Sequence, residues 1–149
     1  MPNKTIKIEQ KEMNKGLKQA KRVGMTNYPV GDFLIRLKNT AMAKGHKVTV
    51  PRTRLIEETA ELLKKEGYIA QVKIDGNLLI VDLAYVKKEP VLITIRLVSK
   101  PGLRIYNSAV ELGANRGPQI LIVSTSKGLM SNRTAIKNNL GGEVIAEVL

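Results

Sequence analysis

ILIVSTSKGLMSN, residues 120–132, runs four branched apolar side chains, Ile120 to Val123, straight into three hydroxyls, a lysine and a glycine. A short apolar run closed by turn chemistry suits a buried strand. Such a strand ends by presenting Ser124, Thr125, Ser126 and Lys127 outward. Downstream, Ser131 can cap a short helix through about Asn138. Gly141-Gly142 then breaks that helix, and EVIAEVL, residues 143–149, reads as a closing strand. Upstream, residues 108–119 are small, polar and glycine-rich, which predicts a loop or short turn. SKPGLRIYN, 99–107, carries Pro101-Gly102 turn chemistry and reads as a hinge between two halves.

The first half alternates between helical and strand periodicity. Val30, Phe33, Leu34, Leu37 and Ala41 recur at helical spacing behind Pro29, a residue accepted in a first helical turn, and Gly45 is read as the stop. Val48–Val50 predicts a short strand stopped by Pro51. A second helix over about 53–66 is expected to bury Leu55, Ile56, Thr59, Leu62 and Leu63. Its acids come early and Lys64 and Lys65 late, as the helix dipole favours, and Gly67 is the expected terminator. YIAQVKI and LLIVDLAYV flank Asp75-Gly76-Asn77, a hairpin signal. VLITIRLV, 91–98, is assigned as this half's third strand. The expected fold is therefore α/β (α+β), with two small subdomains. The amino-terminal one has two helices on a three-stranded sheet, and the carboxy-terminal one is a β-rich unit with one short helix. The division is a basic extension over 1–26, an α/β domain over 27–98, a linker over 99–107 and a carboxy-terminal domain over 108–149.

Charge is the most informative bulk property. The 149 residues hold 25 Lys plus Arg against 13 Asp plus Glu, a net +12, which directs the chain toward polyanions, nucleic acid first. Residues 1–24 alone carry seven basic and two acidic side chains. They read as a solvated tail or as a basic arm that orders on a phosphate backbone; a transit peptide is disfavoured by Glu9, Glu12 and the preference for lysine. No cysteine is present, which excludes disulfides and thiolate metal sites and fits a reducing cytosol. No apolar run approaches the roughly 20 residues of a membrane span, and the basic start has no apolar stretch behind it to make a secretory signal.

Three chemistries could use the hydroxyl-tipped strand. A nucleotide loop needs framing glycines that are absent here. A serine nucleophile is suggested by the S-x-x-K spacing of Ser124 and Lys127, but acyl enzymes place that motif on a helix, and no K-T-G companion follows. Contact with a nucleic-acid backbone needs only hydroxyls, a lysine and exposed amides on a stiff support. The hydroxyls could equally do no more than solvate a strand end. His46, the lone histidine, lies in a lysine-rich turn, and Glu57, Glu58 and Glu61 form a solvated arc, so neither argues for catalysis or metal. One Phe, four Tyr and no Trp are too few rings for base stacking on a sheet. Recognition is expected to rest on the shape and backbone of folded RNA, with Tyr28 and Tyr106 the rings free to stack.

SKPGLRIY (99–106), VSTSKGLMSN (123–132) with LGGEVI (140–145), and YPVGDFLIRLKN (28–39) followed by a strand, Pro51 and a helix ending KKEGYI together resemble the small-subunit ribosomal protein S-eight family in its bacterial form. The resemblance covers about residues 27–149. It implies a two-domain α/β protein without catalysis or cofactor, cytoplasmic and ribosome-bound. It also implies binding to the central domain of small-subunit ribosomal RNA, a role in early assembly, and contact with neighbouring proteins, notably the fifth of that subunit. No membrane or small-molecule partner is implied. The RNA-binding positions it implies are Ser124, Thr125, Ser126, Lys127 and Gly128, with Tyr106 and Glu143 nearby, Lys100 and Arg104 in the linker, Arg36, Lys38 and Asn39 on the first helix, and Arg52 and Arg54 after it. Glu143 could accept from guanine amines or a 2′-hydroxyl, or hold the hydroxyl loop in place. The chain departs from the family at Tyr28, where an aspartate is usual before the proline, in the weakly basic stretch 107–119, and in its leader. The runner-up function is a small acyl-transferring enzyme using Ser124 and Lys127.

Overall fold

The computed structural model describes residues 28–115 and 117–149; the leader and Arg116 lie outside the described residues. Helix α1 (Pro29–Met42) turns Val30, Phe33, Leu34, Leu37 and Ala41 inward. Strand β1 (Lys47–Pro51) follows, with Pro51 as its last residue at the sheet's edge, where a missing N–H is tolerated. Helix α2 (Arg54–Lys65) begins at Thr53, whose Oγ1 accepts from the Ile56 amide at 3.2 Å. Gly67, at φ +91°, ends it. Strands β2 (Ile69–Asp75) and β3 (Leu78–Leu83) form the hairpin around Gly76-Asn77, and the sheet order is β1-β3-β2, antiparallel throughout. Two of the expected details differ. Leu55 is exposed, because the buried stripe of α2 runs through Ile56, Thr59, Ala60 and Leu63 and leaves position 55 off it. The chain's left-handed turn after α1 falls at Lys44, one residue before Gly45.

A two-residue hairpin, β4 (Tyr85–Val86) with β5 (Glu89–Pro90), leads to β6 (Ile95–Leu97). The third strand assigned to 91–98 is thus shorter than expected and belongs to the other sheet, where it pairs with Ala146–Val148. The first sheet takes β1 as its third strand instead. The second sheet runs β6-β10-β8-β9, built from β8 (Ile120–Thr125), β9 (Gly128–Ser131) and β10 (Gly142–Val148), with β7 (Tyr106–Asn107) also paired to β10. Two short helices pack against it, not one. Helix α3 (Ala109–Gly113) occupies the expected loop, started by a capping box in which Ser108 Oγ accepts from the Glu111 amide and Glu111 accepts from the Ser108 amide. Helix α4 (Asn132–Lys137) is capped by Ser131.

One core joins both sheets: Phe33, Leu34 and Leu37 of α1 and Leu79 and Val81 of β3 are clustered with Ile95, Ile122, Ala146 and Val148. The linker is fastened to this body. The amides of Val98 and Ser99 both donate to the carbonyl of Ile145, at a bulge in β10. The buried Ser99 hydroxyl donates to Val144 O at 2.6 Å and accepts from the Ile105 amide at 3.0 Å. Ser99→Ala strands a buried carbonyl and a half-buried N–H, so a loss of roughly 1–3 kcal/mol is expected in urea unfolding. No change in midpoint would refute this fastening.

Candidate nucleic-acid interface

The burial of Ile120–Val123 holds β8 rigidly in the sheet while its last residues rise out of it: Ser124 and Thr125 are half-buried, Ser126, Lys127 and Gly128 exposed. Thr125 and Gly128 are cross-strand partners, so Ser126-Lys127 is a two-residue turn, and Gly128 at φ +106° supplies a conformation L side chains rarely adopt. Thr125 Oγ1 accepts from the Lys127 amide at 3.2 Å and donates to Gly128 O at 2.8 Å. Its hydroxyl therefore shapes the turn, while the Ser126 hydroxyl and the Lys127 ammonium are the groups displayed. Among the described residues Lys127 enters no ion pair.

Pairing of β7, β10, β8 and β9 lays Tyr106, Glu143, Ser124 and Leu129 in one row, each directly opposite the next. Directly opposed residues of antiparallel strands share a face. Tyr106 is 67% exposed, an aromatic ring held out from the sheet. Glu143 Oε1 accepts from Arg104 Nη1 at 3.2 Å, and the Arg104 guanidinium stacks 4.9 Å over the Tyr28 ring. Burial pushes the Tyr28 hydroxyl above the usual phenol range, Arg104 opposing the shift and Glu143 adding to it. Tyr28 thus gives Arg104 an aromatic bed, so the arginine's carboxylate partner is Glu143. These non-local neighbours carry no local sequence signal; only the family resemblance groups them.

Of the other sequence-predicted positions, Arg54 shares a cleft with Lys127 and Gly128 of the hairpin, while Lys38 and Lys100 line a different one. Lys38 and Lys100 meet in a cleft of about 480 Å³ with Ile35, Arg96 and Glu147. Arg54 lines a cleft of about 780 Å³ that also includes Glu57, Glu61, Lys65 and Lys127. Arg52 and Arg54 bind Glu57 and Glu58 at 2.9 and 3.0 Å, which partly neutralises them. Arg36 is half-buried and Asn39 exposed on α1. Among the described residues no His, Cys, Asp or Glu cluster is placed to hold a metal ion, and no helix is long and apolar enough to cross a membrane. Ser124 belongs to a strand and Lys127 to the turn, so the helical turn that joins serine to lysine in acyl enzymes is not formed.

A model of the ribosomal protein S8 family matches residues 28–149. Curated proteins of similar sequence bear the name small ribosomal subunit protein uS8. The one from Alcanivorax borkumensis is 42% identical over 123 residues, covering 80% of this chain and 95% of its own length. The one from Shewanella sediminis is 44% identical over 124 residues with the same coverage. That of Oleidesulfovibrio alaskensis is 34% identical over 125 residues, covering 83% and 99%. This chain belongs to the ribosomal protein S8 family.

Proposed function

We propose that the protein is a structural, non-catalytic constituent of the small ribosomal subunit, ribosome-bound in the cytoplasm, that binds the central domain of small-subunit ribosomal RNA and supports its assembly. The observation that carries this is the rigid hairpin end, with Ser126 and Lys127 displayed beside the row Ser124–Glu143–Tyr106. A hydroxyl and an ammonium there suit phosphates and 2′-hydroxyls, Glu143 suits guanine amines, and Tyr106 can stack on an unpaired base. Lys38, Lys100, Arg36, Asn39, Arg52 and Arg54 add charge on flanking surfaces, and the fifth small-subunit protein is the expected neighbour. The leader, residues 1–26, is assigned to the same RNA or an adjoining protein.

Lys127→Ala is expected to weaken binding to a central-domain RNA fragment by roughly 1–3 kcal/mol. It should also flatten the dependence of log affinity on log salt by about one unit. Ser126→Ala should weaken binding without changing that slope. Unchanged affinity in both variants, with the fold intact, would sink the proposal.

A further inference from the structure

Among the described residues four non-glycine positions have positive φ, and three are lysines: Lys44 at 56°, Lys87 at 52° and Lys88 at 67°. The fourth, Asn139, is a residue type that tolerates this region. Val86 and Glu89 are cross-strand partners, so Lys87-Lys88 is the entire β4–β5 turn. A two-residue turn with both φ values positive favours Asn-Gly. Lys44 fills the equivalent seat after α1: the Gly45 amide donates to Thr40 O at 2.8 Å and the Lys44 amide to Ala41 O at 3.0 Å, the pattern that ends helices on a left-handed residue. After α2 and α4 that seat holds Gly67 and Asn139.

The two lysine turns form one corner. Lys44 Nζ lies 3.3 Å from Glu89 Oε1, Tyr85 Oη donates to Gly45 O, and the His46 and Tyr85 rings stand 4.4 Å apart. Lys47 opposes Asp82 on the β1–β3 ladder. Glu89 thus pairs with Lys44, and Asp82 lies across the ladder from Lys47, whereas Lys87 and Lys88 are exposed and in no ion pair among the described residues. Glycine or asparagine would sit in these turns with less strain. Nothing in the packing demands a lysine, and backbone strain kept at an exposed site points to function.

We infer that Lys87 and Lys88, braced by the Lys44–Glu89 bridge, form a second contact for the phosphate backbone of ribosomal RNA, on the two-stranded β4–β5 hairpin and separate from the Ser126–Lys127 hairpin. The corner presents exposed point cations, the chemistry that phosphates take, with Val86 exposed beside them. The inference rests on the RNA-binding reading above.

The test is the double variant Lys87→Asn/Lys88→Gly, which keeps the turn and removes both charges. Its melting midpoint should rise, by about 2 °C or more. Its binding to intact small-subunit ribosomal RNA should weaken, with the salt slope flatter by roughly two units. Lys87→Arg/Lys88→Arg should keep the wild-type slope. Wild-type chain and Lys127→Ala are measured alongside. A Lys127→Ala effect with no double-variant effect overturns the second contact and leaves the hairpin interface standing. Absence of binding by the wild-type chain overturns both. Crosslinks from Lys87 in small subunits that reach protein instead of RNA also overturn the second contact.

Discussion

Gly142→Ala is expected to destabilise the protein by about 3 kcal/mol or more, because a methyl group there has no space that a side-chain rotation could open. A Cβ at this position would lie 2.1 Å from the carbonyl oxygen of Ser124, 2.9 Å from its carbonyl carbon and 3.2 Å from Thr125 Cα. All three are backbone atoms of β8. The strand must retreat, and the β8–β10 ladder is what seats Ser124 opposite Glu143. RNA affinity should therefore fall together with stability. Urea unfolding and RNA titration of the one variant check both. An unfolding free energy within 1 kcal/mol of wild type, on the order of an ordinary surface change, would show that the strands are not this close.

Phe33→Ala is expected to cost roughly 3–5 kcal/mol, the range for truncating a large buried aromatic. Phe33 is the chain's one phenylalanine and is 1% exposed. Its surroundings are the aliphatic side chains of one cluster drawn from α1, both sheets and α2. The buried members of that cluster are otherwise all aliphatic, with tyrosines only at its partly exposed margin. Phe33→Leu keeps most of the volume and should lose less than about 1.5 kcal/mol. Since this core joins both halves, helix dichroism and the combined tyrosine fluorescence should report one coincident unfolding transition in the alanine variant. Two separated transitions would break the single-core account.

Features whose causes lie within a few residues were readable beforehand. Ser131 as a cap, Gly67 as a terminator and the Asp-Gly hairpin all follow from local backbone chemistry. Ser108-x-x-Glu111 carried a capping-box signal that the surrounding glycines masked. The partner of β6 was not readable, because apolar alternation says nothing about which strand lies alongside: Arg96 is bridged to Glu147, 51 positions later. The left-handed lysines were equally hidden, since lysine is no turn residue and the corner is held by remote contacts such as Lys44–Glu89. At the interface, the hydroxyl tip was legible as a strand running into polar residues. The side-by-side placement of Tyr106, Glu143 and Ser124 depends on three strands meeting.

Strand β10 lies between β6 and β8 in the second sheet, yet it is made after both. During synthesis, β8 can pair only with β9, and β6 has no partner in the sheet, until residues 142–148 leave the translating machinery. A nascent chain therefore has no finished docking face to offer. On the proposed RNA-binding role, release of that strand is a built-in timer that sets when the docking face is complete.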